Sequence, residues 1–218
     1  MKKIILTVIL FITCATAYSQ VVLDDATIEY IVKNERKYFD EITEVYNNDD
    51  PMLRVDDIAL IYYGQAFLPQ YKPGKDENEQ TLKELHDAKK YVEAYNVAKT
   101  ILAYNPVSLN ALFSIYIASK ELGKSEEESL SYLKKYQGII DMICHYGDGK
   151  SSETALRIIT PDDQDYIIYG KLQIEDVISQ TLDTETLCNI VTVKPSEKFN
   201  GRYVYFDLSL FLGQAARE

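Results

Sequence analysis

Apolar residues along the N-terminal two thirds of this chain recur at helical spacing. Ile28, Ile31 and Val32 share one face over residues 25–33, and Phe39, Ile42 and Tyr46 carry the spacing through 36–47. The run Asn47-Asn48-Asp49-Asp50-Pro51 breaks it. Residues 55–67, VDDIALIYYGQAF, predict a helix whose first turn carries Asp56 and Asp57, where carboxylates oppose the helix dipole. Ile58, Ile61, Tyr62 and Gln65 form one stripe and Ala59, Tyr63 and Ala66 another, so this helix should be buried. Residues 69–81 have the composition of a polar loop with two prolines. A helix from 87 to about 104 stops at Asn105-Pro106, and another over 108–121 is capped by Ser108 and ended by Gly123. A further one over 125–142 opens with Ser125 and Glu128 at capping-box spacing.

After Lys150 the period changes. Strands are predicted at 155–159, 177–182, 187–193 and 202–210, the last with Tyr203, Tyr205 and Asp207 alternating against Val204, Phe206 and Leu208. A short helix at 162–169 lies between Pro161 and Gly170. The predicted class is α+β, mainly α. A helical region spans 20–146, and a small antiparallel-sheet α+β region at 147–218 packs on it.

The helices suggest repeated hairpins. Ala94, Ala98, Ile101 and Pro106 stand at i, i+4, i+7 and i+12, and Leu60, Tyr63, Gly64 and Phe67 at i, i+3, i+4 and i+7. Small residues at such positions let two helices approach closely, as in tetratricopeptide repeats. The long 69–81 segment, Ser129 one position late and the lack of a closing proline depart from that pattern.

The first 19 residues alter the setting. Lys2 and Lys3 precede an apolar run from 4 to 12, and Ala17-Tyr18-Ser19 offers a small-x-small cleavage site. These are the parts of a secretory signal peptide, which predicts export to the periplasm or beyond. No later stretch is apolar enough to span a membrane. The chain has 34 acidic and 23 basic residues, a net charge of −11, and losing the leader would make it more acidic still. Without a basic cluster it is no nucleic-acid binder.

Motifs for chemistry are sparse. Gly149-Lys150-Ser151 matches the tail of a phosphate-binding loop, but the first glycine would fall at Cys144 and a helix precedes it, so GDGKSS is predicted to be a turn. Cys144 and His145 are adjacent and point apart on a helix; Cys144 and Cys188 are either a disulfide or two free thiols. His86 sits in a Lys/Glu-rich helix, LKELHDAKK, and is expected to be solvated. Asp162-Asp163-x-Asp165 could hold a hard cation, though acids in a first helical turn already have a dipole reason. No catalytic, metal or cofactor-binding set emerges. The 18 tyrosines, with no tryptophan, suit helix packing with hydroxyls at the surface, or partner binding.

Ile61-Tyr62-Tyr63-Gly64-Gln65-Ala66-Phe67 with Tyr71-x-Pro73, then Gly147-Asp148-Gly149 with Ser152-Glu153-Thr154-Ala155, then Val204-Tyr205-Phe206-Asp207, resemble a family of Bacteroidota proteins known only as domain of unknown function 4919. The resemblance implies a signal-bearing envelope protein and transfers no functional residues. Together these features predict a non-enzymatic interaction protein that binds a protein or peptide partner and needs no cofactor. First helices of hairpins would line its groove with Ile58, Ile61, Gln65, Asn110, Phe113, Ile117 and Lys120. The alternative is an envelope hydrolase acting on glycan or peptide with a carboxylate pair.

Overall fold

Asp24 accepts the Thr27 N–H at 2.7 Å and opens α1 (Asp25–Asn34), which α2 (Arg36–Asn47) follows after a single-residue break. α3 (Val55–Gly64) tightens into a 3₁₀ turn at Gln65–Phe67. The computed structural model describes residues 24–50, 52–72 and 74–216. The predicted signal segment lies outside them. From Ala59 onward α3 is buried on all sides, as its double stripe predicted, and Gly64 lets the Phe39 ring close onto it.

The polar segment after α3 is shorter than expected. Asp76 caps a separate helix, α4 (Glu77–Asp87), and the chain turns at Lys89, φ 56°, before α5 (Tyr91–Tyr104). The predicted 87–104 helix therefore begins at 91, and the supposed loop ends at 76. The sequence pattern marks only 82–87 of α4 as helix and its first half as loop, because the element buries only Leu82. α6 (Leu109–Glu121) and α7 (Glu126–Tyr146) complete the helical part. Ser108 and Ser125 cap them by accepting the N–H of Ala111 at 3.0 Å and of Glu128 at 3.1 Å. Glu128 does not reach back to close a capping box; its carboxylate accepts the Tyr95 hydroxyl at 2.5 Å. Ala94, Ala98 and Ala111 are fully buried with Leu82, Ile101 and Ile115, where small side chains allow α4, α5 and α6 to touch.

Residues 147–151 are a turn. Gly147 is extended, φ −151°, not left-handed; it is glycine because a Cβ would sit 2.3 Å from the Ala155 carbonyl oxygen. The left-handed residue is Gly149, φ 68°. Lys150 pairs with Asp148 at 3.0 Å, and Thr154 donates to the same carboxylate at 2.6 Å. These bonds hold the Asp148 carboxyl down at about 2, with the Thr154 bond contributing most.

β1 (Leu156–Arg157) is only two residues long. It precedes α8 (Asp163–Asp165), which widens directly into a π-helical turn at Tyr166–Lys171. β2 (Val177–Asp183), β3 (Cys188–Val193) and β4 (Tyr203–Asp207) follow. The sheet order is β1-β4-β3-β2. β1 runs parallel to β4 and the other pairs are antiparallel, so the sheet is mixed where an antiparallel one was predicted. The last predicted strand stops at Asp207, and 209–215 form α9 (Ser209–Ala215).

The result is a mainly α, α+β fold. The main core runs through both regions, from Ile28, Phe39 and Tyr62 to Ile139, Phe206 and Leu210. Among the described residues no helix is long and apolar enough to cross a membrane.

Candidate functional site

Where α4, the start of α6 and the π-helical turn meet, they enclose a cavity of about 780 Å³. Its aromatic side is a cluster of Phe113, Tyr136 and Tyr166. Phe113 lies 5.5 Å from Tyr136 and 5.9 Å from Tyr166, and the two tyrosines stand edge to face at 5.9 Å. The π turn brings Tyr166, Tyr169 and Gly170 to the same wall; a Cβ on Gly170 would stand 3.0 Å from the Tyr136 hydroxyl.

The opposite side is polar and ordered. Ser108 donates to Glu79 Oε1 at 2.7 Å and Asn110 Nδ2 to Glu79 Oε2 at 2.8 Å. Tyr166 in turn donates to Asn110 Oδ1 at 3.1 Å, and Tyr104 to Asp76 Oδ2 at 2.6 Å. Burial raises the Glu79 carboxyl above the usual range, the Ser108 and Asn110 bonds oppose that, and the charges of Asp76 and Asp162 add to it.

Asp163 sits deeper. Tyr62 donates to its Oδ2 at 2.6 Å and itself accepts the Ile159 N–H at 3.3 Å. Burial pushes Asp163 up to about 8; the Tyr62 bond opposes this, and Glu79 and Asp162 reinforce it. At neutral pH Asp163 therefore meets the cavity as an acid, not an anion. Burial also raises Tyr136 to about 12, with Asp163 adding to the shift.

The groove residues predicted from sequence separate here. Gln65, Asn110 and Phe113 line the cavity. Ile61 is fully buried in the core and so cannot touch a partner. Ile58 packs partly buried against that core, near Gly138. Ile117 is half-buried on α6, and Lys120 is exposed with its ammonium over the Tyr116 ring at 5.6 Å. Sequence reasoning missed Asp76, Glu79, Tyr71, Tyr104, Tyr136 and Tyr166 as cavity residues. It noted Asp163 only as one acid of a run, and burial now sets it apart from exposed Asp162 and Asp165.

Among the described residues no group of three His, Cys, Asp or Glu is placed to hold a metal. Cys144 and Cys188 are both free thiols, each raised by burial. His86 is not solvated as expected: it is half-buried 5.8 Å from Phe113, with a buried Nδ1 that has no partner among the described residues. His145 is exposed and packs edge-on to Tyr146 at 5.2 Å.

Comparison with curated proteins and with solved structures gives no match. A family model described as Domain of unknown function (DUF4919) matches residues 26–217, a span that includes every cavity residue. The chain therefore belongs to the DUF4919 family.

Proposed function

We propose that this is an exported, non-enzymatic binding protein that takes part of a protein or peptide partner into the cavity between its helices and its C-terminal region. The observation that carries this is the cavity itself. Its volume suits a small ligand or one to two side chains, its walls come from both regions, and Gln65, Asn110 and Phe113 from the sequence-predicted groove lie on it. The hairpins α4–α5 and α6–α7 would serve as a tetratricopeptide-like frame, with buried Ala94, Ala98 and Ala111 at the close contacts. Export rests on the leader-like residues 1–19.

The test is retention of a partner by the tagged chain after cross-linking in its own host. Phe113→Ala and Tyr169→Ala should lose that partner while keeping the wild-type circular dichroism; Tyr169 is exposed, so its truncation leaves the core intact. Undiminished retention by both folded variants sinks the proposal.

A second reading, hydrolysis by a carboxylate pair, is favoured by one observation: an acid held protonated, Asp163, shares the cavity with Glu79 and feels its charge. It predicts turnover of a glycan or peptide that Glu79→Gln abolishes. A panel of such substrates left intact by the wild-type chain removes it.

A further inference from the structure

The walls of the cavity are unbalanced in charge and in hydrogen bonding. Besides the protonated Asp163, they carry the carboxyls of Asp76, Glu79, Asp162 and Asp165 against the ammonium groups of Lys72 and Lys83. Among the described residues neither lysine closes an ion pair with any of these acids. Four side chains of the wall have already committed a donor. Tyr104 gives its proton to Asp76, Tyr166 to Asn110, Asn110 to Glu79, and Gln65 to the Ile61 carbonyl. Acceptors remain. Each oxygen of Glu79 takes a single side-chain donor and has capacity for another, and the buried Oδ1 of Asn105 has no partner among the described residues.

We propose that the cavity receives an organic cation, an alkylammonium or guanidinium group, with its charged head against Asp76, Glu79 and Asp162 and its stem along the rings of Phe113 and Tyr166. This rests on the reading of the cavity as a binding site and names the chemistry of its occupant. Three points converge on it. A cation offsets the excess of carboxyls over ammonium groups and donates to the free acceptor positions of Glu79. Aromatic rings attract ammonium and guanidinium groups and also pack their methylenes. The mutual repulsion of Glu79 with Asp76 and Asp162 is relieved when a positive charge enters. A metal ion would meet the same charge, but no three carboxylates are grouped closely enough to hold one among the described residues. An anionic ligand would meet repulsion from the wall and from a chain of net charge −11.

Such a head group is found on lysine and arginine side chains and on free polyamines, and the test separates these sources. The purified chain is titrated by calorimetry with blocked Gly-Lys-Gly, blocked Gly-Arg-Gly and spermidine. Blocked Gly-norleucine-Gly, blocked Gly-Glu-Gly and calcium chloride serve as controls. The expected result is saturable binding of a cationic probe that weakens with added salt, with none by the acidic peptide or calcium. Binding by the peptides alone assigns the site to a partner's basic side chain; binding by spermidine alone assigns it to a free amine. Asp162→Asn, at an exposed position, should weaken the cation by roughly tenfold, and Glu79→Gln by more. Norleucine binding as tight as lysine, or cation affinity unchanged in both folded variants, overturns the inference. If the norleucine peptide binds and Phe113→Ala abolishes that, the cavity is still a binding site and only its charge preference is wrong. Silence from every probe counts against both.

Discussion

Asp163 is a carboxyl whose environment departs far from that of a free side chain. An unfolded chain releases its proton near pH 4, whereas the fold retains it until about pH 8. Between those values the folded state binds the extra proton, so this residue's contribution to stability falls as pH rises. Asp163→Asn keeps an oxygen for the Tyr62 hydroxyl and removes the titration. Denaturant melts from pH 4 to 8 should show the variant gaining on the wild type by a few kcal/mol in order of magnitude; parallel curves would show that the carboxyl is not buried as described. Gly64 gives a steric counterpart. Alanine favours a helix by about 1 kcal/mol over glycine, but its Cβ would fall 2.5 Å from Cε2 of the buried Phe39 ring and 3.2 Å from Val32. Overlap outweighs propensity, and Gly64→Ala should lower stability by about 1–3 kcal/mol in a chemical melt. Gly64 was legible in the sequence as a small residue at a close helix contact; Asp163 was not. Asp162, Asp163 and Asp165 look alike as letters, and only the packing of α3 behind one of them makes it different.

Among the elements, those with a strong periodic face were legible and those held by one or two contacts were not. α3, α5, α6 and α7 carry apolar stripes and caps at Ser108 and Ser125. α4 has one buried anchor, Leu82, and α9 has one, Leu210, so the first half of α4 was lost in a loop and the start of α9 in a strand. The cavity inherited that blind spot, since Glu79 and the capping residue Asp76 belong to α4. Weak anchoring also makes α4 responsive. Tyr104 holds its cap by donating to Asp76 at 2.6 Å. Tyr104→Phe should cost about 1 kcal/mol and speed amide exchange across α4 while leaving α6 protected. Uniform exchange in both helices would mean that the cap bond does not tether the element.

At the scale of the molecule, the helical region and the sheet share one core. Ile139, Ile140, Met142 and Ile143 of α7 are buried in it together with Ile158, Val204 and Phe206. Calorimetry should therefore give a single transition with equal van't Hoff and calorimetric enthalpies. A chain ending at Tyr146 should lack any cooperative melt; a folded fragment would show that the two regions are independent domains. The sequence marks the change of period near residue 150 but not this union, because strand and helix faces are each half of a contact. The tyrosines show the union most directly. Tyr62, Tyr63 and Tyr71 donate to Asp163, to the Arg157 carbonyl and to the Ile159 carbonyl, across 101, 94 and 88 positions of chain. During translation α3 is complete long before its hydroxyls have anything to bond. The nascent chain must carry an apolar, unsealed segment until residue 163 emerges, and closure over such distances is slow.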